Sequence, residues 1–128
     1  VNLGAFTTNS DLKNNYGPAR VWTPEGHIDT GQMKVGCFLG DHVKTGIGMT
    51  LNTGTVVGAG SNLFGNVMLP SKVPAFSWGS GDHLARYRLT EFLATAKQVM
   101  ARRKIELTPG VIKILVKAWE RTAERLAE

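Results

Sequence analysis

The sequence predicts a short left-handed parallel β-helix built from six-residue repeats, ending in a pair of α-helices. Three observations predict it. From Met33 the chain falls into consecutive blocks of six: MKVGCF, LGDHVK, TGIGMT, LNTGTV, VGAGSN and LFGNVM. Glycine follows the first position in three of those six blocks, an aliphatic-Gly pattern. After residue 89 the period changes to that of amphipathic helices.

The block frame assigns the inside of the coil. First positions are Met33, Leu39, Thr45, Leu51, Val57 and Leu63. Fifth positions are Cys37, Val43, Met49, Thr55, Ser61 and Val67, all small or apolar. Three blocks make one triangular coil of about 18 residues, with a short parallel strand on each face and a tight turn at each corner. First-position side chains then stack one coil apart, as Met33 over Leu51, Leu39 over Val57 and Thr45 over Leu63. Corners need unusual φ or close backbone approach, which the glycines permit.

The start, VNLGAFTT, has the same character, with Leu3-Gly4 opening a block and Thr7 in its fifth position. The register then breaks. Residues 9–32, rich in Asn, Asp, Gly and Pro, read as a long loop thrown out from a corner, with room for a small hairpin. A loop of that length in a compact domain is usually functional. The β-helix is therefore expected over 1–69, a connector over 70–89 and the helices over 90–128. In the connector, Pro70 and Pro74 break regular structure. Phe76 and Trp78 are expected to plug the open end of the coil, which otherwise exposes core and strand edges.

The first helix is expected from Thr90, as N-cap, to Lys104, with Phe92, Leu93, Ala96, Val99 and Met100 on one face. The second starts at Thr108, with Pro109 in the first helical position. Its stripe is Val111, Ile112, Leu115, Val116, Trp119 and Ala123. Neither helix can bury its stripe alone, so each must pack on the other, on the coil or on a neighbouring subunit.

Composition bounds the function. Apolar residues make up 42% of the 128, enough to bury a core. There is no run of about 18 apolar residues to span a membrane. Nothing at the start resembles a signal peptide. A single cysteine, Cys37, rules out an internal disulfide and fits a reducing, cytoplasmic compartment; it is expected to be a small core residue. The chain opens on Val1 without an initiator Met, so a fragment of a longer protein is expected. The net charge is +5, and ten of the 15 Lys and Arg follow residue 83, from Arg86 to Arg125. Such an excess attracts phosphorylated small molecules or acidic partners, or forms a solvated helix face. No nucleic-acid motif accompanies it.

At this point NLGAFTTNSDLKNNYG, LGDHVKTGIGMTLNTGTVVGAGSNLFG and VPAFSWG together resemble the C-terminal domain of bacterial bifunctional sugar nucleotidyltransferases of the UDP-N-acetylglucosamine diphosphorylase/glucosamine-1-phosphate N-acetyltransferase kind. The resemblance covers roughly residues 1–104. It implies a homotrimer that binds acetyl-CoA between subunits and a sugar phosphate near the long loop. There an amine attacks the thioester, a base takes the amine proton and backbone N–H groups steady the oxyanion. Asp11 stands where the family has an Asn that contacts the acetyl region. Phe6 stands for a usual Gly, and Leu12 for an aromatic. Ala59, with Gly60 beside it in VGAG, matches a position that lies against the cofactor. The family's catalytic His belongs to a coil ahead of the NLGA segment, which would precede Val1.

The remaining candidates come from the residues themselves. His42, at a corner in GDHVKTG, is a candidate base or CoA contact, or an exposed or interface His. Lys44, on the same face, is a candidate phosphate or carboxylate contact. Lys13 and Arg20 in the loop are candidates for a sugar phosphate. Asn52 is expected in a hydrogen-bonded ladder, while His27 and His83 are expected to face solvent. Zinc needs ligands converging within about 2.1 Å, and His27, His42 and His83 show no such spacing, so no metal is expected. GxSxG, a Cys-His pairing and a phosphate loop are all missing. The alternative function is a non-catalytic trimerisation or scaffold module.

Overall fold

A computed structural model describes residues 1–81 and 83–123, with side chains described up to residue 122. It is mainly β, with two C-terminal helices. Asp82 and residues 124–128 lie outside the described set, and with them Arg125, the expected end of the second helix and the packing of Ala123.

The coil strands are two residues long and step by six within residues 2–9 and 38–63. They are β1 (Asn2–Leu3), β2 (Thr8–Asn9), β5 (Phe38–Leu39), β6 (Lys44–Thr45), β7 (Thr50–Leu51), β8 (Val56–Val57), β9 (Asn62–Leu63) and β10 (Lys72–Val73). The chain visits three parallel sheets in rotation. One holds β1, β6 and β9; the second β2 and β7; the third β5, β8 and β10. Leu39 pairs with Val57 and Thr45 with Leu63, each 18 residues on, which is three blocks per circuit.

The third expected pair differs. Leu51 pairs with Asn9, and Met33 is 48% exposed. Leu3 pairs with Thr45, 42 residues on, so the insertion adds the 24 residues by which 42 exceeds 18. The block at Met33 keeps the six-residue frame, but the chain is still outside the coil there: Lys34 bridges back to Leu12, and Val35 donates its N–H to the carbonyl of Asp11. Inside the insertion, β3 (Arg20–Thr23) and β4 (Gly26–Asp29) form an antiparallel hairpin.

Val43, Met49, Leu51, Val57, Leu63, Leu69 and Val73 fill the inside of the coil. Cys37 and Leu39 rest half-buried against this core. Thr45, polar at an inward position, is satisfied there: its hydroxyl accepts from Gly4 N at 3.1 Å and shares a hydrogen bond with Thr7 Oγ1 at 2.9 Å. That ladder lies in Thr7 and Thr45; Asn52, where one was expected, is exposed.

The last circuit is shorter. Val57 pairs with Val73 and Leu63 with Gly79, 16 residues on, because the prolines of the connector end the six-residue step. Strands β11 (Ser77–Ser80) and β12 (His83–Arg86) then form a hairpin on the first sheet. Of the two residues expected at the end of the coil, neither belongs to the cluster inside it, whereas Leu84 of β12 packs on that cluster. Trp78 is 41% exposed, because its position in β11 points out of the coil; Phe76 is buried at a corner against the helices.

Helix α1 is Leu89–Arg102 and α2 is Pro109–Ala123. Arg88 occupies the α1 N-cap without a side-chain cap bond, and Thr90 lies inside the helix. Pro109 does open α2, and Thr108 Oγ1 accepts from Val111 N at 3.3 Å as its cap. Phe92 and Ala96 are the buried centre of the α1 stripe. Leu93, Leu115 and Trp119 pack on the same cluster, with Phe76 and Tyr87. Trp119 is clamped: its indole N–H donates to the carbonyl of Tyr87 at 2.7 Å, and the Arg86 guanidinium lies 3.3 Å from its ring centre.

Candidate functional site

His42 sits on a corner column. His42, Gly60 and Phe76 occupy successive turns at the same corner, and all three have positive φ, at 62°, 74° and 55°. Positive φ is uncommon outside glycine, and here the corner imposes it. The imidazole of His42 meets Phe92 of α1 edge-on, with ring centres 5.8 Å apart. Phe76 meets Phe92 in the same way at 5.0 Å. Helix α1 is thus seated on this corner. Burial, and then the Lys44 ammonium, hold the imidazole below its ordinary pKa; Asp41 opposes them. Burial lowers the Lys44 pKa as well, and its Nζ donates to the carbonyl of His42 at 3.2 Å. The structure therefore brings His42 and Lys44 together.

Ala59 and Gly60 lie one circuit above. Gly60 donates its N–H to the carbonyl of Asp41 at 2.8 Å, and Ala59 accepts from Phe76 N at 2.7 Å. A Cβ on Gly60 would stand 2.5 Å from the Phe76 ring, so Gly60 is closed off beneath that side chain.

The loop candidates have local partners instead. Asp11 pairs with Lys34 at 3.7 Å, both side chains being mostly exposed. Lys13 opens a turn closed by Tyr16 N on its carbonyl at 3.0 Å. Arg20 begins β3, opposite Asp29.

The hairpin builds a groove that residue-by-residue reading missed. Its base is wedged on a corner: a Cβ on Gly54 would stand 2.4 Å from the carbonyl oxygen of Arg20, so only glycine lets the arm come so close. Ala19 and Val21 are buried there. Beyond them Trp22 reaches along the third sheet, where Lys72 places its ammonium 4.0 Å from the ring centre. Between arm and coil lies a groove of about 650 Å³. Trp22, Pro24 and Glu25 form one side, Val56, Gly58 and Val73 the floor, and Thr122 of α2 touches the far end. The signal available in the sequence was a lone Trp two residues before a Pro inside the polar loop.

A second cleft, of about 420 Å³, lies between Trp78, Tyr87 and the start of α1. Among the described residues no three His, Cys, Asp or Glu side chains are grouped to hold a metal ion, and no helix is long and apolar enough to cross a membrane.

No family model matches the chain. Over 64 residues, half of the chain, it is 34% identical to a bifunctional sugar-1-phosphate nucleotidylyltransferase/acetyltransferase of Sulfurisphaera tokodaii. Over 84 residues, 66% of the chain, it is 29% identical to YaiX, an uncharacterized acetyltransferase of Escherichia coli, in strains K12 and 536. The matched stretches span 16% and 36% of those relatives' lengths. The chain is thus similar to acetyltransferases, one of which also carries a nucleotidylyltransferase.

Proposed function

We propose that this chain is the acyltransferase part of a cytoplasmic sugar-nucleotide enzyme, moving an acetyl group from acetyl-CoA to the amine of an amino-sugar phosphate. In this reading the coil is a left-handed hexapeptide β-helix over 1–69, joined by the 70–89 connector to the helices, and three copies associate. The observation that carries it is the 18-residue register of Leu39 on Val57 and Thr45 on Leu63, in a chain whose relatives are acetyltransferases.

Acetyl-CoA, when bound, would supply the thioester that the amine attacks, the C–S bond breaking as the amide forms and CoA leaving as its thiol. The chain's own residues then have separate tasks. His42, its pKa lowered by burial and then by Lys44, is the candidate base for the amine proton. Lys44, Ala59 and Gly60 border the cofactor, while Asp11, Lys13 and Arg20 hold the sugar phosphate. The fit is uneven: the hairpin groove has the volume of a cofactor site, whereas Gly60 lies under Phe76.

That last observation favours a second reading, a non-catalytic trimerisation module, because α1 is seated on the corner that holds His42 and Gly60. Calorimetry with acetyl-CoA, followed by turnover with glucosamine-1-phosphate, separates the two. Binding with turnover supports the transferase, and no binding supports the module. A monomeric mass at micromolar concentration removes the trimer.

A further inference from the structure

The geometry points to the hairpin groove, not the Ala59–Gly60 corner, as the place where the phosphate-bearing acyl carrier lies along this chain. The inference rests on the transferase reading and moves its cofactor.

The corner is filled. Phe76 covers Gly60, and Phe92 of α1 packs on Phe76 and on His42. A ligand could reach Gly60 only by displacing a buried aromatic cluster. The groove is open, and its three walls come from different parts of the chain: the hairpin arm, the third sheet and the end of α2. At about 650 Å³ it is within the range of sites that hold an extended cofactor.

Its chemistry is asymmetric in the way such a carrier needs. The floor is the half-buried Val56 side chain with the backbone at Gly58 and Val73, whose own side chain points into the coil, and it suits an alkyl-amide arm. Strand β10 is the edge of its sheet, so its outer backbone groups are not taken by another strand of that sheet. Lys72 is the cation among the lining residues, and it is exposed at the mouth. Its ammonium rests on Trp22, which can pass it to a phosphate oxygen while the indole face turns to the ligand. Glu25, at the arm's tip, carries the opposing charge and limits the phosphate that Lys72 attracts.

The test follows the three indole N–H resonances of the chain, with that of Trp22 assigned through Trp22→Phe, while CoA or pantetheine is added. CoA is expected to move the Trp22 resonance and leave that of Trp119 in place. Lys72→Met is expected to weaken CoA binding about fivefold, the size of an exposed ion pair, without changing pantetheine, which has no phosphate. Glu25→Gln is expected to tighten CoA. If CoA binds by calorimetry while Trp22 stays still and Lys72→Met binds as well as the parent, the groove is refuted and the transferase reading stands. If CoA does not bind at all, both fall.

Discussion

Gly58→Ala tests the packing of one coil on the next. A Cβ at Gly58 would stand 2.3 Å from Ala75 N and 2.4 Å from Ala75 Cα. Those are backbone atoms of the following circuit, so relief requires the two coils to separate by roughly 1 Å. Forcing extra volume into a packed interior costs about 1–3 kcal/mol. Gly36 is the control. A Cβ there would meet only Asn9 Nδ2, at 3.7 Å, and Gly36 does not have positive φ. Gly36→Ala restricts the unfolded chain and should stabilise by about 0.4–1 kcal/mol. The two variants should therefore differ by about 1.4–4 kcal/mol. In urea, with a slope of about 1–3 kcal/mol/M for a chain of this size, the midpoints separate by about 1 M, Gly58→Ala being the lower. Equal midpoints would refute the coil spacing on which the fold rests.

Three further outcomes are expected. The Thr55 hydroxyl is buried without a hydrogen-bond partner among the described residues; Thr55→Val keeps the shape and should raise stability by about 1 kcal/mol, read as a higher melting temperature. Trp119→Phe removes the N–H donated to Tyr87 and weakens the stack with Arg86. It should cost about 1–2 kcal/mol and diminish the near-UV circular dichroism of the docked helices. The third outcome concerns acid. His42 has a folded pKa below its unfolded value, so the unfolded state binds the proton more readily. Stability should be unaffected by His42 above the unfolded pKa and fall as pH drops through it and towards the lower folded value. His42→Gln should flatten that part of the pH–stability curve below neutrality; a variant with the parent's slope would show that another group titrates.

Much of the coil is legible because its period is covalent. Leu39, Thr45, Leu51, Val57 and Leu63 are six apart, and a three-sided circuit brings every third one into register. The frame misled at Met33, where a six-residue pattern persists in chain that has not re-entered the coil. Re-entry is decided by which strand finds a partner, and Leu51 is paired with Asn9, which leaves Met33 no place on it. The helices were legible by stripe and by Pro109. The α1 start was misplaced at Thr90 because its hydroxyl suggested a cap, whereas Arg88 takes that position without a side-chain bond.

The site was less legible. The closeness of His42 and Lys44 follows from their two-residue separation, His42 at the corner and Lys44 in the strand after it. The burial of Gly60 did not show, because it depends on Phe76 sixteen residues later and on Phe92 in another element. Nor did the groove, because Trp22, Val56, Lys72 and Thr122 share no sequence interval.

By itself, then, the sequence determined whatever repeats locally: the step of six, the inward columns and the amphipathic faces, since each depends on bond geometry and side-chain polarity within a few residues. Only the tertiary structure decided where the hairpin arm lies, which corner α1 covers and what space is left between them. Those depend on surfaces far apart in the chain competing for the same contacts, and a local pattern carries no record of that competition.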